Sequence, residues 1–190
     1  MTSVTIFGSG NMGTAIDKVL SAGGASVQHI GSGQEATVQG EIVILAVPYA
    51  ALKDIAGKYA DQLRGKVVVD ITNPLNFETF DSLLVPADGS AAAELAEALP
   101  DSRVLKAFNT NFAGTLAAGT VGENTTTVLI AGDDAEAKEL LAQAVTAGGL
   151  DAVDAGSLKR ARELESLGFL QLTLAAAEKI NWTGGFALTR

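Results

Sequence analysis

Three glycines near the beginning of the chain carry the clearest chemical signal in the sequence. Gly8, Gly10 and Gly13 follow the apolar run 4–7 at the spacing G-x-G-x-x-G, and an amphipathic helical pattern begins directly after them. At this spacing the first glycine permits a tight turn, the second lets the backbone approach a pyrophosphate, and the third lets the helix pack close to the strand. Because a helix N-terminus presents free N–H groups and a positive dipole end, the pattern predicts a binding site for the phosphates of a dinucleotide.

A second turn indicates which dinucleotide the site would take. The predicted strand 26–30 ends in Gly31-Ser32-Gly33, where the ribose of the adenosine half should lie. NAD-specific sites commonly hold the 2′-hydroxyl with an acidic residue at this strand end, whereas Ser32 stands here. Because no carboxylate repels a 2′-phosphate, and Ser32 and the backbone of Gly33 can donate hydrogen bonds to it, the turn predicts a modest preference for NADP. His29, inside the same strand, is interpreted as a structural residue.

Three further predicted strands end in residues that could face the same ligand. Apolar residues run together at 41–47, 66–71 and 103–108, as expected for parallel strands that are covered on both faces. Shortly after these runs come Pro48, Asn73 and the polar stretch Asn109-Thr110-Asn111. Ligands of open parallel sheets bind beyond the carboxyl ends of the strands, so we expect these residues near the dinucleotide and its reaction partner.

Strands alternate with helical patterns along most of the chain, which predicts an α/β fold with a doubly wound, Rossmann-type, mainly parallel sheet. Helices are expected at about 50–63, from the cap Ser90 to Leu99, and from a cap at Asp133 or Asp134 to Ala147. The connection 34–40 is short, so we expect the usual crossover helix to be very short there. No internal repeat or low-complexity linker interrupts this pattern, so we expect residues 1–155 to form a single dinucleotide-binding domain.

The chain ends in a predicted helix that is apolar on more than one side. It runs from Ser157 to about Lys179, and apolar residues recur at helical spacing at Leu158, Ala161, Leu164, Leu167, Leu170 and Leu174. A chain of 190 residues has few other elements that could cover so wide a surface. We therefore expect residues 156–190 to be a C-terminal extension that packs or dimerises, and we predict a homodimer in which the tail 182–186 takes part.

The composition argues against several classes of protein. With 13 basic and 22 acidic residues the net charge is −9, which disfavours any extended surface for nucleic acid or anionic membranes. The chain has no cysteine and one histidine, so we expect no metal site. No apolar run approaches the ~20 residues of a spanning helix, and Met1-Thr2-Ser3 lacks the basic start of a signal peptide. We therefore expect a cytoplasmic protein without a membrane or nucleic-acid partner.

Four segments of the chain, taken in order, carry a resemblance to a known family. They are GSGNMG at 8–13, AVP at 46–48, VLKAFNT at 104–110, and DAGSL at 154–158, which leads to RELE at 162–165. Together they resemble the NADP-dependent reductases of the deazaflavin coenzyme F420, and they are similar to the dinucleotide-binding domain of the six-transmembrane metalloreductases. The resemblance covers nearly the whole chain and implies hydride exchange between NADPH and a flavin-like or deazaflavin ring.

The resemblance also implies contacts to NADPH. It implies that the phosphates bind at Ser9, Gly10, Asn11 and Met12 and that the 2′-phosphate lies near Ser32. It also implies that the nicotinamide lies toward Val47, Pro48, Asn73 and Ala113. Asn109 is a further candidate cofactor contact, and Asn109 and Thr110 are candidates to orient the acceptor. Family members commonly carry an arginine directly after the serine of the second turn, where Gly33 stands here, and this limits the expected preference for NADPH.

Three functions remain open on the sequence. Reduction of a flavin-like ring needs two stacked planar rings and no obligatory protein acid, which suits the polar but acid-poor stretch 109–111. A dehydrogenase or imine reductase of a small substrate normally needs a positioned acid. The candidates for that role are few, because we expect Lys106 to lean outward from its strand and Lys159 and Arg160 to face solvent. The third alternative is a module that senses NADP without turnover, since the fold alone does not imply catalysis.

Overall fold

The computed structural model describes residues 1–189, and the elements within that range alternate as the sequence predicts. The strands are Ser3–Phe7 (β1), Ser26–Ile30 (β2), Ile42–Leu45 (β3), Val67–Asp70 (β4), Arg103–Lys106 (β5), Thr120–Val121 (β6), Asn124–Thr125 (β7), Thr127–Gly132 (β8) and Asp151–Gly156 (β9). The α-helices are Asn11–Ala22 (α1), Leu52–Leu63 (α2), Ala91–Ala98 (α3), Ala113–Ala118 (α4), Ala135–Ala147 (α5) and Ala161–Ala176 (α6). Short 3₁₀ turns at Tyr49–Ala51 and Leu158–Arg160 lead into α2 and α6.

Seven of these strands form one sheet in the order β2-β1-β3-β4-β5-β8-β9. The strands from β2 to β5 pair in parallel, β8 runs antiparallel to β5, and β9 is parallel to β8. The reversal at β8 arises because the connection from β5 stays at the carboxyl edge, passing through the short helix α4 and the β6–β7 hairpin. The prediction of a doubly wound, Rossmann-type, mainly parallel sheet is confirmed.

The core lies on both faces of the sheet, as the continuously apolar strands require. All four residues of β3 and all four of β4 are buried. One face packs against α1 and α5 through residues such as Ile16 and Leu141, and the other packs against α2 and α3 through residues such as Leu63 and Leu95. This two-sided cover leaves the carboxyl edge of the sheet as the place where polar groups can gather.

Several predicted elements are shorter in the structure, while their caps are where the sequence places them. The runs 41–47 and 103–108 form strands only over Ile42–Leu45 and Arg103–Lys106. The connection 34–40 contains no helix, so the expectation of a very short crossover helix is wrong: seven residues suffice only for an irregular link between neighbouring elements. The hydroxyl of Ser90 accepts a hydrogen bond from the Ala93 amide at 3.0 Å, and the Asp134 carboxylate accepts one from the Ala137 amide at 2.8 Å. Both predicted helix starts are confirmed.

The last helix differs most from its prediction. It begins at Ala161 and ends at Ala176, and its buried residues are Ala161, Leu164, Glu165, Gly168, Gln171 and Ala175. The predicted stripe through Leu167, Leu170 and Leu174 lies beside this face and is only partly covered. The physical reason is that α6 packs against the polar carboxyl edge of the sheet, where small and hydrogen-bonding side chains fit better than leucine. No helix within residues 1–189 is both long and apolar enough to cross a membrane.

Candidate functional site

The glycine turn between β1 and α1 is shaped by close backbone contacts. Gly8 has φ +103°, and a Cβ at this position would collide with the carbonyl oxygen of Ala46. A Cβ at Gly13 would lie 2.7 Å from the carbonyl oxygen of Gly8. Gly10 differs from both, because a Cβ there would meet no heavy atom within 4 Å. Gly8 and Gly13 are therefore required by the fold, whereas Gly10 borders open space.

The N-terminus of α1 has the free donors that bind an anion. Its cap residue is Gly10, no side chain caps it, and the first turn contains no acidic residue. Ser9, Gly10 and Asn11 are exposed. Unsatisfied N–H groups and the positive end of the helix dipole thus face the open space beside Gly10.

A cavity of about 580 Å³ extends from this turn toward the second turn. Gly8, Ser9, Gly10, Ser32, Gly33, Val47 and Pro48, all predicted site residues, line it. Gly33 has φ +75°, a left-handed backbone conformation that favours glycine over residues with a Cβ. The structure therefore brings the two turns together around one cavity.

Lys58 on α2 lines the same cavity, although the sequence pattern did not single it out. Its ammonium lies 3.3 Å from Glu35 Oε1, and about half of the lysine side chain is exposed. No local motif marks this lysine, because it reaches the second turn only through the packing of α2. Lys58 adds a cation near the site where the sequence offers only neutral donors.

His29 holds the second strand to the glycine turn. Its Nδ1 lies 3.1 Å from the Gly8 carbonyl oxygen, and its Nε2 lies 3.0 Å from a carboxylate oxygen of Asp17 on α1. Both ring nitrogens therefore have partners within the protein, in line with the interpretation of His29 as a structural residue.

A second cavity, of about 640 Å³, adjoins the first along the carboxyl edge of the sheet. The two share Gly10, Ala46, Val47 and Pro48, and the second cavity is also lined by the predicted site residues Asn11, Met12, Asn73, Asn109 and Ala113. Thr110 lines neither cavity; it is buried, and its carbonyl oxygen accepts a hydrogen bond from Gln171. Asn111, two residues after Asn109, lines the second cavity in its place.

Asn73 and Asn109 form a fixed pair in the wall of the second cavity. Asn73 Nδ2 donates to the Asn109 carbonyl oxygen at 2.8 Å, and Asn109 Nδ2 donates to Asn73 Oδ1 at 2.9 Å and to the Leu164 carbonyl oxygen at 2.8 Å. A Cβ at Gly168 of α6 would collide with Asn73 Oδ1. The pair is thus clamped between two strand ends and α6.

The turn that carries Asn109 is strained. Phe108 is fully buried and has φ +62°, a left-handed conformation that costs a bulky residue of the order of 1–3 kcal/mol. Two buried oxygens of this wall, Asn109 Oδ1 and Asn111 Oδ1, have no hydrogen-bond partner within the described part of the chain. Strain and unsatisfied polar atoms concentrated at one cavity are typical of a functional site.

Directly behind this wall lies a buried ionic cluster, which corrects the expectation that Lys106 leans outward. The Lys106 ammonium is 2.8 Å from Asp70 Oδ2, 2.8 Å from Glu165 Oε1 and 2.6 Å from the Thr72 carbonyl oxygen. None of the three charged side chains has any exposure to solvent. Lys106 points inward because two carboxylates, which reach it from β4 and α6, provide the compensation that a buried ammonium needs.

Glu165 links this cluster to another helix. Its carboxylate oxygens accept hydrogen bonds from the backbone amides of Ala91 at 3.0 Å and Ala92 at 3.3 Å, at the N-terminus of α3. Burial raises the pKa of Glu165 above its usual range, although Lys106 and the Ala91 amide act in the opposite direction. The cluster ties β4, β5, α3 and α6 together behind the asparagine pair.

Tyr49 is the single titratable residue among the described residues that line the second cavity. Its hydroxyl donates a hydrogen bond to Glu94 Oε2 at 2.6 Å. Burial, together with this hydrogen bond and the charge of Glu94, raises the pKa of Tyr49 to about 12. The cavity therefore contains no readily available proton donor, and residues 1–189 contain no cluster of histidine or acidic side chains that could hold a metal ion.

Comparisons with known proteins agree with this geometry. The family model for the coenzyme F420-dependent NADP oxidoreductases matches residues 25–74. An F420-dependent NADP reductase of Methanocaldococcus jannaschii is 30% identical over 172 residues, which cover 88% of this chain and 77% of that protein. The rat metalloreductase STEAP3 is 37% identical over 137 residues, which cover 70% of this chain but only 26% of that longer protein.

A solved structure extends the likeness to the whole fold. The structure of a protein from Arthrobacter sp. FB24, described as an F420-dependent NADP-reductase, superposes with a TM-score of 0.86 at 23% identity and covers all of both chains. This match shows the fold, and the Methanocaldococcus protein shows the family. The chain belongs to the F420-dependent NADP reductases, a family of oxidoreductases.

Proposed function

We propose that this protein transfers a hydride between NADP(H) and a flavin-like or deazaflavin acceptor such as coenzyme F420. The observation that carries the proposal is the pair of adjoining cavities, one beside a free helix N-terminus and the other without an available acid. The names of the relatives support NADP and coenzyme F420 as the reaction partners.

The residues at the glycine turn fit the dinucleotide. The open space beside Gly10 leaves room for a pyrophosphate, and the backbone amides that follow Ser9 can donate to it. Val47 and Pro48, which border both cavities, would lie where the adenosine and nicotinamide halves meet. Asn73, Asn109 and Ala113 would then face the nicotinamide end.

When bound, NADPH supplies a hydride, and the acceptor ring takes the balancing proton from solvent. The contribution of this chain is therefore to hold two planar rings face to face rather than to transfer a proton. The asparagine pair, fixed by Leu164 and by the ionic cluster behind it, would keep the wall of the second cavity rigid. A preorganised wall lowers the entropic cost of reaching the reactive geometry.

We further propose that Lys58 assists Ser32 in binding the 2′-phosphate of NADPH. Lys58 and Ser32 line the same cavity, and an ammonium attracts a phosphate more strongly than neutral donors do. Glu35, the present partner of Lys58, is largely exposed and can release the lysine at little cost.

The second candidate function is reduction of a small imine or carbonyl compound. Tyr49 favours it, since this residue lines the second cavity and a tyrosine can act as a general acid. Its hydrogen bond to Glu94 and its raised pKa make it a poor proton donor as it stands.

Oxidation of NADPH, followed by its absorbance, distinguishes the two functions. We expect turnover with FMN or coenzyme F420, and we expect the Tyr49→Phe variant to retain it. The second function would be supported if the parent turned over small cyclic imines and the Tyr49→Phe variant did not. Tight binding of NADPH without turnover of any acceptor would contradict both and favour a sensor.

We also propose that the protein is a homodimer that associates through the leucines of α6. Leu170 is 50% exposed, and Leu167 and Leu174 on the same stripe are partly exposed. A contiguous apolar stripe beside a packed helix face is typical of an association surface.

A further inference from the structure

We propose that Trp182 and Phe77 form an aromatic wall on which the planar ring of the acceptor stacks, so that the second cavity selects a flat, fused-ring substrate. This inference rests on the proposed function and names the residues that recognise the acceptor. Trp182 comes from the C-terminal tail (177–189), and Phe77 comes from the long connection between β4 and α3.

Both side chains are large and apolar, and both are exposed. Trp182 is 53% exposed and Phe77 is 61% exposed, and both line the second cavity. Exposed aromatic side chains around one concave site commonly mark a surface that a ligand covers. Of the residues that line this cavity, these two are the large apolar side chains with the greatest exposure, so a bound ligand could cover both.

The tryptophan is held in place. Its ring packs on Phe112 with the centroids 5.0 Å apart and the planes tilted by 54°. Behind it Gln171 bridges two segments: its Nε2 donates to the Thr110 carbonyl oxygen at 3.1 Å, and its Oε1 accepts from the Phe186 amide at 3.1 Å. A Cβ at Gly114 would lie 2.8 Å from the Trp182 carbonyl oxygen, so the tail rests directly on the start of α4.

Phe77 is positioned by a local turn. The Asn76 side chain accepts hydrogen bonds from the amides of Glu78 at 3.0 Å and Thr79 at 3.3 Å. The Phe77 ring meets the ring of Phe80 edge to face, with the centroids 5.7 Å apart. The side chain is thus supported from behind while most of its surface remains available.

The chemistry of this wall suits a flavin-like or deazaflavin ring better than a small imine. A fused aromatic ring offers a large π-face, and aromatic pairs contribute beyond the area that they bury. A small aliphatic substrate would leave the wall exposed to water. The selected substrate class is therefore a planar heteroaromatic ring of two or three fused rings.

Trp182 is the only tryptophan of the chain, so its fluorescence reports directly on the wall. The measurement uses the full chain saturated with NADP⁺ and titrated with oxidised FMN or 5-deazariboflavin, a mixture in which no hydride can move. We expect saturable quenching of the tryptophan emission by more than half. Absence of saturable quenching at concentrations that support turnover would overturn the inference while leaving the proposed function intact.

A matched control separates stacking from light absorption by the flavin. In the double variant Trp182→Phe with Phe186→Trp, the indole stays on the same tail but outside the residues that line the cavity. We expect this variant to show clearly weaker saturable quenching than the parent, because energy transfer to a nearby bound flavin persists while the stacking contact is lost. Saturable quenching equal to that of the parent would contradict contact with Trp182.

Kinetics supply the second test. Trp182→Leu removes the stacking surface at an exposed position, and we expect the KM for FMN to rise about tenfold with the KM for NADPH unchanged. An unchanged KM for FMN in a variant that still turns over would contradict the inference. Quenching of the parent without any NADPH oxidation would support the wall and contradict the proposed hydride transfer.

Discussion

Lys106 is the residue on which the interior of the site depends. Its ammonium compensates two buried carboxylates, Asp70 and Glu165, that would otherwise be left together in a medium of low polarity. The sequence could not indicate this arrangement, because the two acids lie far from Lys106 in the chain and meet it only through the packing of β4 and α6.

We predict that Lys106→Met lowers the free energy of unfolding by about 3–5 kcal/mol, since removing one partner leaves uncompensated buried charge. Urea unfolding of the parent and the variant measures this difference in the free energy of unfolding. Lys53, an exposed lysine of α2, gives a control, and Lys53→Met should change the free energy of unfolding by no more than about 0.5 kcal/mol. Adding Glu165→Gln to Lys106→Met should restore part of the loss. A Lys106→Met protein as stable as the parent would show that the cluster is not ionised as described.

Lys58 is the residue that we expect to favour NADPH over NADH. We predict that Lys58→Gln weakens NADPH binding about tenfold at low salt while NADH binding is unchanged, because only NADPH carries the 2′-phosphate. Calorimetric titration with both cofactors measures the two affinities, and Lys53→Gln serves as the control. Equal weakening of NADPH and NADH would mean that Lys58 supports the cavity without contacting the phosphate.

At the scale of elements, the glycine turn could be predicted because each of its requirements is local. Spacing, the preceding apolar strand and the following amphipathic helix are all contained in one stretch of sequence, and the structure gives the same elements. The strands were predictable for a similar reason, since burial on both faces leaves a continuous apolar run.

We predict that Gly10→Val abolishes NADPH binding and lowers the free energy of unfolding by only about 1 kcal/mol. A Cβ at this position meets no protein atom within 4 Å, so the new side chain would occupy the space beside the helix N-terminus, and valine is a weaker helix cap than glycine. Gly57→Val is the matched control, because Gly57 also borders open space and lies outside both cavities. Calorimetry and urea unfolding measure the two properties. NADPH binding by Gly10→Val at the affinity of the control would contradict a phosphate site at this turn.

The last helix shows where pattern-based prediction stops. Its leucines follow helical spacing, yet the residues that α6 buries against the site are Glu165, Gly168 and Gln171 among others. These residues are selected by partners on other elements: Lys106, the asparagine pair and the C-terminal tail. The same limit explains why Tyr49, Lys58 and Phe77 were not singled out as lining the cavities, since no local signal marks them.

On the scale of the whole molecule, the two cavities lie along one edge of the sheet and leave the leucine stripe of α6 outside the site. We predict that light scattering at micromolar concentration gives a mass near 38.8 kDa, twice the 19.4 kDa of one chain. Leu170→Glu should shift the mass toward one chain, whereas Leu84→Glu, at an exposed leucine far from α6 in sequence, should not. A parent protein that remains at 19.4 kDa would contradict the dimer.

Direct hydride transfer between two rings held face to face is the step on which the proposed function depends. A deazaflavin tests it best, because the hydrogen that its ring carbon receives does not exchange with water. NADPH deuterated at the transferable position of the nicotinamide is mixed with the protein and 5-deazariboflavin or coenzyme F420, and mass spectrometry follows the reduced acceptor. We predict one deuterium in the acceptor from labelled NADPH in ordinary water, and none when unlabelled NADPH is used in heavy water and exchangeable sites are washed back. Deuterium entering the ring carbon from solvent, or no reduction of either acceptor, would contradict the account.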